Sequence, residues 1–543
     1  METTPENDPN NSNAFLERAA RSVAEVQPRT SSIADTLVFL EVLGYTNRMA
    51  VANGYQDLLD LAKKVHQFVS FYDIENETVE ATPIPVPSAG RRVAEGLSIA
   101  FPWVGSWGIL LVFGVSLWLS GIMPLDITTA FIIGVFLGLA VAGDMLGMGR
   151  LFTYYDEQGN VSETRRVLKR YYGYFALTLA LTASGLTLVC LLTGVSLYLA
   201  AIAVFSEGTL SLQLTSYMII YSRRKLSLVL TSYTSAFLAL ISVYLFGSQF
   251  VPDPTLRYFY ALGSGLIVLL IPAAYAHYTI FTSRSTNAAS KGIKPSFFYD
   301  TAAISVTLPS KSRVQLWEIL PFSIYGVLFY GMLFGDRVIA WVFNPVHVVG
   351  GVYLPMVFNV TYEIGVDLAL LILFPALIVQ YIMMAHLHEE LYNVIMSRKV
   401  SEINKVGQFL RRRYRNLLMS TIGASLLISG LMIYFAPVII PLLGGSGIST
   451  NIFYIAAVSD ILMAVFGGNA MFLIFINKIR PLCGIAIVGT LIVMGLGVFF
   501  AQFGFENIVF AYLAETIIVA LASSILVRRN LGKATSIHFA RYV

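Results

Sequence analysis

The sequence contains little cysteine and little charge. Its two cysteines, Cys190 and Cys483, each lie inside an apolar run without a nearby CxxC or Cys/His spacing. The sequence therefore predicts neither a disulfide framework nor a zinc site, and both cysteines are interpreted as packing residues. Only 13% of the 543 residues are charged, whereas 56% are hydrophobic and the mean hydropathy is +0.70. A soluble core cannot hold so much apolar surface, so the composition predicts a chain embedded in lipid.

Motifs for nucleotide chemistry are also absent. The sequence has no GxxxxGK[ST] phosphate-binding loop, which excludes ATP hydrolysis of the Walker type. Each polar segment is shorter than about a hundred residues, too small for the α/β domain of a nucleotide-sugar enzyme. We therefore expect no catalytic activity, no cofactor and no bound metal. The first ninety residues lack the apolar stretch of a cleavable signal peptide, so the first membrane span is expected to direct insertion.

Twelve apolar segments are long enough to cross a bilayer, which requires ~20 apolar residues per helix. They lie near residues 97–120, 125–148, 171–192, 194–220, 226–247, 256–281, 316–341, 360–385, 416–436, 450–476, 481–501 and 504–527. A polar central loop at 284–315 separates two sets of six. The sequence therefore predicts an all-α integral membrane protein with two six-helix bundles, at 91–283 and 316–530.

Arginine and lysine predict the orientation of these segments, because both collect on the cytoplasmic side of a membrane. Basic clusters precede the first segment and follow every second one. They include Arg91, Arg165, Arg224, Lys294, Arg411, Lys478 and Arg528. From Arg91 onward, only Arg257 and Arg337 fall on the other side. We therefore expect a multi-pass protein of the cytoplasmic membrane with both termini in the cytoplasm.

The polar ends of the chain are expected to be cytoplasmic. Residues 1–32 are rich in Asn, Pro, Ser and charge, which predicts disorder. Residues 33–73 carry leucine and valine at helical spacing, which predicts two helices broken near Asn53-Gly54. An autonomous or membrane-surface helical hairpin and a partner-docking element both fit this pattern. The prolines at 83–87 predict an extended linker that completes the segment 33–90, and residues 531–543 form a tail.

Four carboxylates lie within predicted spans. Glu207, Asp460 and Glu515 lie near the middle of the fourth, tenth and twelfth segments, and Asp144 lies toward the cytoplasmic end of the second. A charge in hydrocarbon is costly unless it faces protein, water or a partner. A neutralised acid between helices and a role in a substrate cavity or in ion coupling both fit these positions.

A second charged group lies near the outer ends of the seventh and eighth segments. It consists of Asp336, Arg337, Glu363 and Asp367. Glu363 and Asp367 are four residues apart and share one helix face, so Arg337 is expected to pair with either. We favour an outer ion-pair latch between the two helices, which also suits a gate, over direct contact with a substrate.

Three stretches of the sequence have a familiar pattern. These are Phe101-Pro-Trp-Val-Gly-Ser-Trp-Gly-Ile, Gly335-Asp-Arg-Val-Ile-Ala-Trp-Val-Phe343, and Tyr362-Glu-Ile-Gly-Val-Asp-Leu-Ala-Leu-Leu-Ile-Leu-Phe-Pro375 followed by Glu389-Glu-Leu-Tyr392. They resemble motifs of the Pel-type exopolysaccharide transporter family (PelG), with Arg337 in place of a lysine and Glu363 in place of an aspartate. The resemblance implies the multidrug/oligosaccharidyl-lipid/polysaccharide (MOP) flippase superfamily. It also implies a cytosolic glycosyltransferase and other membrane subunits as partners.

The leading hypothesis is a transporter that moves an exopolysaccharide, or a lipid-linked oligosaccharide, outward across the membrane within a Pel-like synthesis complex. Sparse acids and many aromatic residues suit a cavity for a neutral or cationic glycan. Two alternatives stay open. One is a cation-coupled exporter of small drugs, in which Glu207, Asp460 or Glu515 cycles a proton, and the other is a non-transporting scaffold of such a complex. No nucleic-acid partner is expected.

Overall fold

The structure is a computed structural model that describes residues 9–26, 33–43, 45–72, 88–98, 125–157, 161–222, 226–282, 312–349, 351–396 and 403–531. The chain divides into two units. The small unit contains residues 1–87, 385–415 and 528–543, and the large unit contains residues 88–384 and 416–527. Helices dominate the described parts of both.

The large unit is built from long apolar helices. After α5 (residues 89–98) they are α6 (Leu125–Glu157), α7 (Val161–Thr193), α8 (Leu197–Ser222), α9 (Leu226–Phe246), α10 (Pro254–Thr282), α11 (Ser312–Val342), α12 (Val360–Leu370), α13 (Leu373–Met384), α15 (Ile403–Leu442), α16 (Gly447–Phe475), α17 (Ile479–Ala501) and α18 (Val509–Leu531). Residues 403–415 of α15 and 528–531 of α18 belong to the small unit. Among the described residues, ten helical spans are long and apolar enough to cross a membrane, and a bent pair within α6 makes eleven. This confirms the prediction of a polytopic all-α membrane protein. Nearly all of the first predicted segment, 97–120, lies outside the described residues.

Several helices are longer than the apolar segments that predicted them. Helix α15 covers 40 residues, whereas its apolar segment covers only 416–436. Hydropathy detects only the part of a helix that lipid surrounds, and the arginines that precede this part are themselves good helix formers. Predicted bounds therefore underestimate the helices that begin in basic loops.

The eighth span, 360–384, is one apolar segment as the sequence predicts, with a two-residue turn at Leu371 and Ile372. Helix α12 ends at Leu370, α13 begins at Leu373, and the N–H of Ile372 donates to the carbonyl of Ala369 at 2.9 Å. Pro375 lies in the first turn of α13, where a missing N–H removes no intrahelical bond. The turn therefore interrupts the helix only locally, within one span.

A short hairpin connects α11 to α12, and the sequence reasoning missed it. Strand β1 (Val348–Val349) pairs antiparallel with β2 (Val352–Tyr353). Gly351 in the turn has φ +82°, a conformation that glycine adopts without strain.

The N-terminal helices of the small unit share a hydrophobic core. They are α1 (Pro9–Val26), α2 (Ile33–Val42), α3 (Asn47–Ala52) and α4 (Leu58–Tyr72), and α14 (Leu387–Met396) belongs to the same unit. The prediction of disorder for 1–32 is wrong for residues 9–26. Helix α1 has few apolar residues, but Phe15, Ala19 and Val23 repeat every four residues and pack into this core. The predicted break at Asn53-Gly54 is present, with Gly54 at φ +88°, and a second break separates α2 from α3.

Helices α6 and α11 form a seam between the two bundles. The helices are antiparallel, since Phe136 stacks on Phe334 at a centroid distance of 4.7 Å and Gly147 lies against Ile319. Between these contacts, Gly143 and Gly326 touch backbone to backbone, so that a Cβ on either would overlap the other chain segment. Near the start of α6, the N–H of Phe358 donates to Thr129 Oγ1 at 3.1 Å. The contacts of the seam therefore extend from Phe136 to Gly147 on α6 and from Ile319 to Phe334 on α11.

Candidate functional site

Six of the eight predicted site residues form one buried cluster in the C-terminal bundle, which we call the charge network. Its members are Asp336 and Arg337 on α11, Glu363 and Asp367 on α12, Asp460 on α16 and Glu515 on α18. All six are at least 95% buried. Asp460 interacts electrostatically with both Arg337 and Asp336, and Glu515 interacts with Asp336. The two groups that the sequence separated are therefore one site.

Arg337 is the centre of this network. Its Nη1 donates to Glu363 Oε2 at 2.8 Å and also to Asp367 Oδ1. Helix α12 places both acceptors on one face, because they are four residues apart. The helix begins after Asn359, whose side chain accepts from the N–H of Tyr362 at 3.1 Å, so Glu363 lies in the first turn. The partial positive charge of a helix N-terminus favours a carboxylate there.

Aromatic residues supply further hydrogen bonds. Trp341 Nε1 donates to Glu363 Oε1 at 2.7 Å, and Tyr362 Oη donates to Asp336 Oδ2 at 2.7 Å. Tyr512 Oη donates to Asp460 Oδ1 at 2.6 Å. Sequence reasoning assigned no site role to these three residues. Trp341 follows Arg337 by four residues, which is a usable signal, but nothing local to Tyr512 indicates Asp460 as its partner.

The network has more acid than base. Its five carboxylates face one guanidinium among the described residues. Asp336 Oδ1, Asp460 Oδ2 and both carboxylate oxygens of Glu515 have no hydrogen-bond partner within the described chain. Because uncompensated charge in a low-dielectric interior costs several kcal/mol, such a cluster favours uptake of protons or other cations.

Close packing encloses Glu515. A Cβ at Gly489 of α17 would lie 3.2 Å from Glu515 Oε1 and 2.6 Å from Met332 Sδ of α11. Glycine at this position therefore lets α17 approach α11 and the carboxylate. A change of charge at Glu515 acts directly on the packing of these helices.

Glu207 and Asp144 are not part of the charge network as the structure describes it. Glu207 is fully buried on α8, where Thr182 Oγ1 of α7 donates to its Oε1 at 3.1 Å. Its Oε2 has no hydrogen-bond partner among the described residues. The backbone of Asp144 belongs to α6, but its side chain lies outside the described residues. The acids of the N-terminal bundle therefore stay separate candidates.

The described part of the chain offers no cluster of metal ligands. No three His, Cys, Asp or Glu side chains lie close enough there to hold a metal ion. Cys190 and Cys483 are buried free thiols, and Cys483 Sγ donates to the carbonyl of Pro321 at 2.7 Å. Both cysteines therefore pack within the fold.

The fold is similar to that of solved membrane transporters. A solved structure of MATE in the bent conformation matches with a TM-score of 0.53 at 13% identity, covering 84% of this chain and 98% of that one. A MOP superfamily transporter from Pyrococcus furiosus matches with a TM-score of 0.52 at 14% identity, covering 84% and 99%. The chain is therefore a multi-pass protein with the fold of MOP-superfamily transporters.

The family follows from the sequence itself. The profile of the PelG family, described as "Putative exopolysaccharide Exporter (EPS-E)", matches residues 154–539. The chain belongs to this family. No match was found among the curated proteins. The matched stretch contains every residue of the charge network and Glu207.

Proposed function

We propose that this chain exports an exopolysaccharide outward across the cytoplasmic membrane, with no catalytic step of its own. The observation that carries the proposal is the family match over residues 154–539, which includes the whole charge network. The MOP fold supports it, because two helical bundles that rearrange against each other suit alternating access. In this proposal the substrate is either an exopolysaccharide or a lipid-linked oligosaccharide.

The proposed mechanism couples the charge network to the seam. Helix α11 carries Asp336 and Arg337 of the network, and it also carries Gly326 and Phe334 of the seam. Protonation or cation binding at the network changes the attraction between α11 and its neighbours α12, α16 and α18. Because packed helices have discrete arrangements, this change biases the position of α11 against α6. In this proposal, Arg337 and its carboxylates act as a gate.

We expect Asp460→Asn and Glu515→Gln each to reduce exported polymer by roughly tenfold or more. Without the ionisable group, the switch loses the coupling free energy between charge and conformation, which is typically about 1–3 kcal/mol. The measurement is surface polymer in cells that depend on this chain, together with resistance to small cationic drugs, which should stay unchanged. Glu163→Gln is the matched control, because Glu163 forms an exposed pair with Arg166.

The alternatives give other outcomes in the same experiment. Loss of drug resistance with normal polymer favours the cation-coupled drug exporter. Normal polymer in both buried-acid variants favours the non-transporting scaffold. Either result overturns the proposal. Glu207→Gln extends the comparison to the N-terminal bundle.

The proposal includes a cytosolic glycosyltransferase and other membrane subunits as partners. It also places both termini of this chain in the cytoplasm. Two observations support docking at the small unit. Helices α1 to α4 have a hydrophobic core of their own, and Arg411, Arg412 and Arg415 are exposed on the basic segment that precedes the ninth span. Basic loops alternate with loops that carry few basic residues, and this alternation supports a cytoplasmic location for both termini.

A matched pair of substitutions tests the docking. Leu61→Ala removes a fully buried side chain of α4 and should destabilise the N-terminal helices by about 2–5 kcal/mol. We expect the cytosolic glycosyltransferase of the proposed complex to co-purify with the wild type and to be lost from Leu61→Ala. Leu59→Ala makes the same change at a residue that is 41% exposed and should keep the partner. Retention by both variants, or no co-purification with the wild type, contradicts docking at these helices.

A further inference from the structure

Helices α7 and α10 of the N-terminal bundle meet at one end, in a region that the proposed mechanism does not use. Hydrogen bonds join the two helices there. Arg165 Nε donates to the carbonyl of Ile280 at 3.0 Å, and Tyr172 Oη is hydrogen-bonded to His277 Nε2. Arg165 and Tyr172 are seven residues apart, so they lie on one face of α7. This face is therefore the one that α10 contacts.

The same face of α7 is covered only in part. Lys169 and Ala176 follow Arg165 by four and eleven residues, which places both on this face, but both are exposed. On α10, Ala274 precedes His277 by three residues and is exposed as well. Exposed residues thus alternate with hydrogen-bonded ones, and two of the exposed residues are alanines. A crevice with small side chains on both walls therefore opens between the helices.

One end of this crevice is positively charged. Helix α7 contains four basic residues and one acid, all within its first ten residues, and the acid, Glu163, pairs with Arg166 at 2.6 Å. The other bases are Arg165, Lys169 and Arg170. Lys169 and Arg170 are exposed and form no ion pair within the described part of the chain. Their charge is therefore available to an anion from outside the protein.

Aromatic residues place the charged end of the crevice at the membrane surface. Tyr174 on α7 and Tyr275 and Tyr278 on α10 are each at least 45% exposed. Exposed tyrosines collect where lipid headgroups meet hydrocarbon. Farther along α7, Leu177 and Leu181 are more than half exposed, as expected for side chains that face acyl chains. Basic, aromatic and apolar groups therefore follow one another in the order of the parts of a phospholipid.

We propose that this crevice binds an anionic phospholipid, with its phosphate at Arg165 and Lys169 and an acyl chain along Ala176 and Ala274. Lysine and arginine form charge-assisted hydrogen bonds with phosphate oxygens. Basic pockets between membrane helices recognise anionic headgroups in this way. In the proposed orientation, this end of α7 lies at the cytoplasmic leaflet. The inference goes beyond the proposed export, because lipid binding requires no polymer.

The test uses the purified full chain in detergent. Melting temperature is measured against dioleoyl phosphatidylglycerol and against dioleoyl phosphatidylcholine, which has the same chains but no net charge. Glycerol phosphate supplies the phosphate without the chains. A lipid that binds only the folded state raises the melting temperature until the site is saturated. We expect a saturable rise with phosphatidylglycerol, a smaller rise with phosphatidylcholine and none with glycerol phosphate.

Substitutions along the crevice identify the site. Lys169→Gln removes one positive charge and should weaken phosphatidylglycerol binding about fivefold, which is the typical contribution of one basic residue near an anionic headgroup. Lys63→Gln is the matched control, because Lys63 is an exposed helical lysine on α4 and should not affect binding. Ala176→Leu fills the crevice without a change of charge and should weaken the binding of both lipids. Native mass spectrometry of these variants measures the bound lipid directly.

Three results overturn the inference. Equal rises with both phospholipids mean that the chains bind without recognition of the phosphate. Equal affinities of Lys169→Gln and Lys63→Gln assign the binding to charge elsewhere on the chain. Tighter binding of a polyprenyl phosphate than of phosphatidylglycerol, lost in Lys169→Gln, assigns the crevice to a lipid-linked substrate. Because these measurements use no exported polymer, they can fail while the export assay succeeds, and the reverse also holds.

Discussion

Replacing Arg337 by glutamine is expected to destabilise the folded protein by about 3–5 kcal/mol and to abolish polymer export. Arg337 is the one basic member of the charge network, and it donates to both Glu363 and Asp367. Its removal leaves buried carboxylates without a counter-charge, which costs more than the lost hydrogen bonds alone. Thermal unfolding in detergent measures the stability, and surface polymer measures export.

Two companion variants make this prediction specific. Arg166→Gln removes an arginine whose side chain is 59% exposed and paired with Glu163 at 2.6 Å, and it should cost less than about 1 kcal/mol. Combining Arg337→Gln with Glu363→Gln and Asp367→Asn removes the two carboxylates that Arg337 bonds, and it should recover part of the lost stability without restoring export. An Arg337→Gln protein that melts like the wild type is incompatible with the buried ion pairs.

Gly326→Ala is expected to have the second large effect. The added Cβ would overlap the backbone of Gly143, which belongs to the other bundle and cannot rotate away as a side chain does. Overpacking of this kind typically costs about 1–3 kcal/mol. If the cost falls on one arrangement of the bundles, their ratio changes by roughly 5- to 150-fold. We therefore expect a lower melting temperature and a corresponding loss of surface polymer.

Gly331→Ala on the same helix is the control. Its Cβ would lie 3.4 Å from Thr490 Cγ2, an ordinary contact with the end of a side chain. This variant should export normally and melt close to the wild type. Equal behaviour of Gly326→Ala and Gly331→Ala contradicts a close seam between α6 and α11. Gly143→Ala approaches the same contact from α6 and should reproduce the defect.

The sequence predicted the spans well because membrane insertion depends on local hydrophobicity. Segments such as 450–476 and 481–501 nearly coincide with α16 and α17. Helix α1 was missed because its few apolar residues become stabilising only when α4 and the other helices of the small unit cover them. The sequence did not predict the two-residue turn at Leu371 either, since apolar residues on both sides give the same hydropathy as an uninterrupted helix.

The candidate site was only partly predictable. The spacing of Glu363 and Asp367 places them on one helix face whatever the rest of the fold does, so the sequence predicted that Arg337 pairs with either. The contact with Arg337 itself depends on the packing of α11 against α12. Asp460 and Glu515 join the same cluster only because α16 and α18 pack beside α11, and that packing has no local signature.

The seam also has a consequence for biogenesis. Helix α6 is synthesised well before α11, and at ~5–20 residues per second Gly143 waits roughly ten to forty seconds for Gly326. During that interval, lipid or an insertion factor covers the glycine face that α11 later occupies. A nascent chain stalled within the central loop therefore exposes the face of α6 that α11 would cover. Quality-control proteases are expected to recognise this exposed face.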